Sequence, residues 1–303
     1  MTVSIIGGSG LIGTELARQL LNAGENVIIL SRAPEKAEGI PAGASAEKWS
    51  SDNPEENIEV IGKSDAVVNL AGASIMRRWT ASNKKKIRFS RINTGKILTE
   101  SIERAGRKPE VVVQGSAFGY YGPGAREADE SAGPGDDFLA EVAAAWEDST
   151  AAVEKMGVRR VIIRTGIVLS NRGGAFPLIK LPFRFLAGGP LGSGRQILSW
   201  IHIEDEAAAI RFLIKNRNAE GPFNLTSPEP VSNNKFSRIL GKEMGRPSLI
   251  RVPGFLIRLV MGETSSVVLK GRAVRPRNLE RLGFEFRFPD ISSALEELIS
   301  KKD

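Results

Sequence analysis

Short apolar runs alternate along the chain with longer stretches whose apolar residues recur every three or four positions. Val3 to Ile6 is such a run, the mark of a strand covered on both faces. Leu11, Leu16, Leu20 and Leu21 then recur at helical spacing until Gly24, and a second strand, Val27 to Leu30, follows. The same reading predicts strands over 44–49, 65–70, 111–113 and 160–164, with helices over 53–61, 80–105 and 138–156 between them. Ile87, Ile92, Ile97, Leu98 and Ile102 form the stripe of the long helix, which Gly106 and Pro109 end; Asp136 or Asp137 is the N-cap of the next. Strands that alternate with helices imply an α/β fold, a doubly wound parallel sheet with right-handed crossovers.

From Phe176 the pattern loosens. A Pro-interrupted helix is followed by a Gly-rich loop, 188–196, read as a substrate lid. Short strands at 200–203 and 222–225 flank a helix over 204–215, and the last fifty residues carry two or three short helices and the segment Gly283 to Phe288. Two regions are expected: a nucleotide-binding domain over 1–225, with substrate loops from about 170, and a smaller mixed α+β cap over 226–303.

The turn after the first strand carries three glycines at spacing three, Gly7, Gly10 and Gly13. A pyrophosphate needs backbone N–H groups aimed at it and the positive end of a helix dipole. A side chain at Gly7 or Gly10 would obstruct the turn or the phosphate, and Gly13 lets the helix pack closely on the strand. Strand, Gly-rich turn and helix together make a Rossmann-type dinucleotide site, with Gly7, Ser9, Gly10, Leu11, Ile12 and Gly13 as candidate contacts. Cofactor choice is read at the end of the second strand. Ser31 and Arg32 stand there instead of the acid that would accept from a ribose 2′-OH, and a guanidinium pairs with a 2′-phosphate. NADP is therefore expected over NAD. Leu70, Ala71 and Gly72, small residues at the fourth strand's end, leave the cofactor space; Trp49 borders the adenine; Arg164 and Gly166 end the sixth strand near the cofactor or an anionic substrate, for which Arg195 is a second candidate.

Composition narrows the chemistry. The 303 residues include no cysteine and one histidine, His202, so neither a disulfide framework nor a Cys- or His-rich metal site is available. No apolar run reaches membrane-spanning length and the first strand begins at once, so a soluble cytoplasmic protein is expected, without membrane partners. The net charge of +7 is uneven. Residues 77–108 hold eleven lysines and arginines against Glu100 and Glu103. That block reads as a solvated helix face; Trp79 and Phe89 are its only aromatics, so nucleic acid is not expected as a partner.

Gly7-x-x-Gly10-x-x-Gly13, Asn69 to Gly72, Ser116 at a strand end and Trp200 to Asp205 resemble an extended short-chain dehydrogenase/reductase. Ser116 to Gly122, Asp137 to Ala140 with Trp146 and Glu147, Arg164 to Gly166, 188–196 and Gly262-Glu263 narrow the resemblance to an atypical epimerase-like branch. It has an NAD-dependent epimerase/dehydratase-type N-terminal domain and a small C-terminal domain of unknown function. The resemblance implies a small-molecule substrate, with Ser116 hydrogen-bonding a substrate oxygen, and leaves a homodimer open. One departure is decisive. The family's Tyr-x-x-x-Lys pair, in which the lysine tunes a phenol for proton transfer, is absent. By register Phe138 and Val142 stand in its place. Ser116, Tyr120 and Tyr121 remain as catalytic candidates, and His202 and Asp205 read as structural. Two functions are carried forward: an NADP-dependent oxidoreductase or epimerase-like enzyme on a small substrate, with sugar-derived compounds among the candidates, and an NADP(H)-binding redox sensor or scaffold without turnover.

Overall fold

The computed structural model describes residues 1–37 and 39–300. In chain order the elements are β1 (Thr2–Ile6), α1 (Leu11–Asn22), β2 (Asn26–Ser31), β3 (Ser45–Lys48), α2 (Ile58–Lys63), β4 (Ala66–Asn69), α3 (Ala81–Arg104), β5 (Val111–Ala117), α4 (Phe138–Asp148), β6 (Arg159–Thr165) and β7 (Ile167–Leu169). They continue with α5 (Phe176–Arg184), β8 (Ile197–Leu198), β9 (Trp200–His202), α6 (Ile203–Lys215), β10 (Gly221–Leu225), β11 (Val231–Ser232), α7 (Asn233–Glu243), α8 (Gly254–Met261), α9 (Ser266–Leu269), α10 (Arg277–Arg281) and α11 (Ile291–Ser300).

Seven strands form one parallel sheet in the order β10-β6-β5-β4-β1-β2-β3. This is the expected Rossmann-type doubly wound sheet with a smaller C-terminal region. Alternate residues of each strand serve opposite faces. Val3, Ile5, Val27, Ile29, Val68 and Val113 pack with α1 and α6, whereas Ile6, Leu30, Val67 and Val112 pack with α2 and α3. Covering on both sides is why the strands read as continuous apolar runs. Strand order reverses between β1 and β4, so the crevice outside their carboxyl ends is where such a sheet takes a ligand.

The expected helix over 138–156 divides. α4 ends at Asp148, and a 3-10 turn occupies Ala151–Met156. The Ser149 hydroxyl donates to the Trp146 carbonyl at 2.6 Å, competing with continuation of the helix.

The two regions interlock. Leu279 of α10 is buried in the core of the large sheet, while Phe176, Phe183 and Trp200 join Leu240, Leu295 and Leu298 in the core of the smaller region. Asp205 fastens them by accepting from the Arg287 and Phe288 amides, both at 2.9 Å. The loop 188–196 is framed by the smaller region. Ile250 N donates to Gly188 O and Val252 N to Pro190 O, and the Asn233 side chain accepts from Leu191 N at 2.7 Å. These bonds tie the loop, expected as a substrate lid, to the smaller region, and none of its residues lines the cavity described below.

Candidate active site and cofactor cradle

Gly7 has φ +81°, a left-handed conformation, and a Cβ there would lie 3.1 Å from Ala71 N on β4's continuation. A Cβ at Gly13 would lie 2.5 Å from Gly8 Cα, so the close packing this glycine permits is of α1 on the turn itself. No side chain caps α1 and no acid occupies its first turn. The amides of Leu11 and Ile12 are left open beside exposed Ser9 and Gly10, an arrangement that fits a pyrophosphate. Glu15, one turn on, is neutralised by Arg18 and Arg172. Arg32 is exposed at the end of β2 and forms no ion pair among the described residues. The Ser31 hydroxyl is turned back to Ala33 N.

Two expected cofactor contacts lie elsewhere. Trp49 is 3% exposed and packed into the core under α2 and α3, so it offers no face to a base. Gly72 does leave space, but the Arg91 guanidinium fills it: a Cβ on Gly72 would lie 2.9 Å from Arg91 Cζ.

A cavity of about 380 Å³ opens beside this cradle. Ile12 and Leu70 connect it to the cofactor crevice, and Ser116, Thr165, Gly166 and Arg91 line it. α4 contributes Leu139, Val142, Ala143 and Trp146, all apolar. The expected register is off by one: Phe138 points away and packs edge-on against Trp79 at 5.1 Å, and Leu139 with Ala143 is the i, i+4 pair beside Ser116. No proton donor stands on this helix face. The roof is the C-terminal segment Ser266 to Arg272.

Behind Ser116 lies a buried network. Ser116 Oγ donates to Glu147 Oε1 at 2.6 Å, and Glu147 holds Arg164 by two bonds of 2.9 Å. Burial opposes the Arg164 charge, but the bonds and charge of Glu147 outweigh it and leave its pKa above the ordinary value. Arg164 also donates to Tyr121 OH at 2.9 Å and lies 3.6 Å from the Tyr120 ring centroid. Tyr121 in turn donates to Asn224 Oδ1 at 2.7 Å. Arg164 and Tyr121 are therefore internal supports and not contacts for cofactor or substrate. Tyr121 is 1% exposed, burial pushes its pKa up to about 12, and with its hydrogen given to Asn224 it does not line the cavity. Tyr120, stacked on Arg164, does not line the cavity. Nor does Arg195, which is exposed. His202 is structural: Nδ1 caps α6 by accepting from Glu204 N, and Nε2 meets Glu297 at 3.1 Å.

A hydrogen-bonded pair that the sequence did not single out lies at the end of the sixth strand. Thr165 Oγ1 is 2.7 Å from Oε1 of Glu206, which is completely buried on α6 and faces no cation. Burial pushes the Glu206 pKa up to about 8, so at neutral pH the carboxyl keeps its proton. Glu206 Oε2 has no hydrogen-bond partner. In sequence Glu206 is one of three consecutive acids at a helix start, a pattern that reads as dipole compensation.

The sheet, its Gly-rich first crossover and the adjoining cavity define a nucleotide-binding protein of the short-chain dehydrogenase type. The chain belongs to the NAD dependent epimerase/dehydratase family, which residues 3–226 match; residues 252–298 match a domain of unknown function, DUF1731. It is 37% identical to the epimerase family protein YfhF of Bacillus subtilis, over 100% of this chain and 99% of the relative. Among solved structures it resembles human epimerase family protein SDR39U1 (isoform 2) with NADPH, at 31% identity and TM-score 0.88, covering all of both chains. It also resembles a nucleoside-diphosphate sugar epimerase of Corynebacterium glutamicum, at 33% identity and TM-score 0.80, covering 99% of this chain and 58% of that one. The family resemblance drawn from the motifs is thus confirmed. No helix among the described residues is long and apolar enough to cross a membrane.

Proposed function

We propose that the protein is an NADP-dependent oxidoreductase or epimerase-like enzyme that interconverts an alcohol and a carbonyl on a small substrate, with Thr165 and Glu206 handling the proton. The observation that carries this reading is that Ile12 of the uncapped α1 and Thr165, hydrogen-bonded to the buried Glu206, line one cavity. NADP is favoured by the unpaired Arg32, and the human relative carries NADPH. When bound, the cofactor supplies or accepts a hydride. The chain's own residues do the rest. At rest Thr165 Oγ1 donates to Glu206 Oε1. In the reducing direction the Thr165 hydroxyl turns its hydrogen to a substrate oxygen and accepts one from protonated Glu206, and in the oxidising direction the proton returns along the same path. Ser116 has its hydrogen committed to Glu147, so its lone pairs accept from a substrate hydroxyl. The apolar face of α4 excludes water.

That apolar face also favours a second reading, an NADP(H)-binding sensor without turnover. Calorimetric titration of NADPH and NADH into the wild type and Arg32→Ala tests the cofactor. NADPH is expected to bind at least about tenfold tighter, with the preference lost in the variant; equal affinities in the wild type refute the NADP assignment. NADPH oxidation across a carbonyl panel, lost in Thr165→Val, separates the enzyme from the sensor, for which no substrate turns over.

A further inference from the structure

The cavity wall is apolar for most of its extent, yet it is strongly unbalanced in charge. Arg91, Lys270 and Arg272 line it against a single acid, Asp137, whose carboxylate already caps α4 by accepting from Ala140 N at 2.9 Å. Arg91 is the one guanidinium of the basic run 77–108 among the lining residues. Its protein hydrogen bonds, to the carbonyls of Ala73 at 3.0 Å and Ile87 at 3.1 Å, both use Nη1. Nε and Nη2 are left uncommitted, and the group sits 5.0 Å from the Trp146 ring centroid. Burial alone pushes its pKa down to about 10; no carboxylate is close enough to oppose the shift. Arg272 comes from the C-terminal region, and its Nε is buried without a partner. A half-buried guanidinium without a counter-ion is costly, and two around one cavity are costlier, unless a ligand completes them. Side-chain hydroxyls are few, namely Ser116, Thr165 and Ser266, which is poor provision for a sugar.

We infer that the substrate is a small organic carboxylate that carries the reacting hydroxyl or carbonyl on an otherwise apolar body, its acid group held by Arg91 and Arg272. The inference rests on the enzyme reading above and names its substrate class. A planar carboxylate matches the free fork of a guanidinium and costs less to desolvate than a phosphate dianion. The apolar body meets Leu139, Val142 and Val267, and Lys270 at the exposed rim adds attraction at entry.

The test uses the full chain loaded with NADPH and titrated calorimetrically with acetate, butyrate and phenylacetate, each against its amide, and with inorganic phosphate. At least one acid is expected to bind about tenfold or more tighter than its amide. Arg91→Gln should bring that ratio to within about twofold while NADPH affinity stays within twofold; Arg272→Gln gives the same reading should the first variant not fold. Equal binding of acid and amide, no binding of any acid, or tighter binding of phosphate overturns the inference. So does a fall in NADPH affinity in Arg91→Gln, which would assign Arg91 to the cofactor. Failure of NADPH to bind the wild type would instead strike the enzyme reading, and the acid-to-amide ratio remains measurable on the unloaded protein.

Discussion

Glu206 shows how one residue can set a pH dependence. Its carboxyl is ordinary in the unfolded chain, near 4.5, and is held up to about 8 by burial in the folded protein. Between those values the folded state binds the extra proton, so raising the pH favours unfolding. The stabilisation is complete below the lower value and is lost as pH rises through the upper one, at up to about 1.4 kcal/mol per unit. Melting temperatures from pH 5 to 9 should therefore fall more steeply in the wild type than in Glu206→Gln; parallel curves would rule out a protonated Glu206. Residues of this kind were the least legible in the sequence. The three glycines could be read because their roles follow from local backbone geometry, and Ser116 was singled out by the family resemblance. Arg91 and Glu206 could not, because each stands in a run of like charges and only tertiary packing selects the member that turns inward.

At the scale of elements, the turn between β1 and α1 was the most readable part, although the close packing at Gly13 proved to be against the turn. Gly13→Ala should destabilise the protein by about 1–3 kcal/mol, since backbone atoms of Gly7 and Gly8 fill the space a methyl would need. It should also weaken NADPH binding; thermal unfolding and calorimetry would show both, and an unperturbed variant would mean the helix can shift freely. α4 was legible as a helix but not in rotation. One residue of error exchanged Phe138 for Leu139 on the cavity face, because its alanine-rich sequence carries little periodic contrast.

For the whole molecule, the sequence marked a loosening of pattern from Phe176 and a boundary at residue 225, but not the interlocking of two cores. Leu279 belongs to the large sheet, and Phe176, Phe183 and Trp200 belong with α7 and α11. The full chain should unfold in one cooperative transition, and residues 1–225 alone should not form a cooperatively folded unit, since removal of 226–303 strips partners from both cores. Circular dichroism of the full and shortened chains checks this, and a cooperative melt of the shortened chain would separate the regions after all. Distant segments meet only when the sheet has formed, which is why apolar patterning could not show their pairing.

The cavity's roof is tied to its floor. The Thr264 hydroxyl accepts from Trp79 N at 3.1 Å and donates to the Arg77 carbonyl at 3.0 Å, and Glu263 pairs with Lys84. These bonds join the segment before α9 to the start of the helix that carries Arg91. The covering segment and the helix that carries Arg91 therefore share one mooring, and a substitution that breaks it, such as Thr264→Val, removes the tie between the cavity's cover and its half-buried guanidinium.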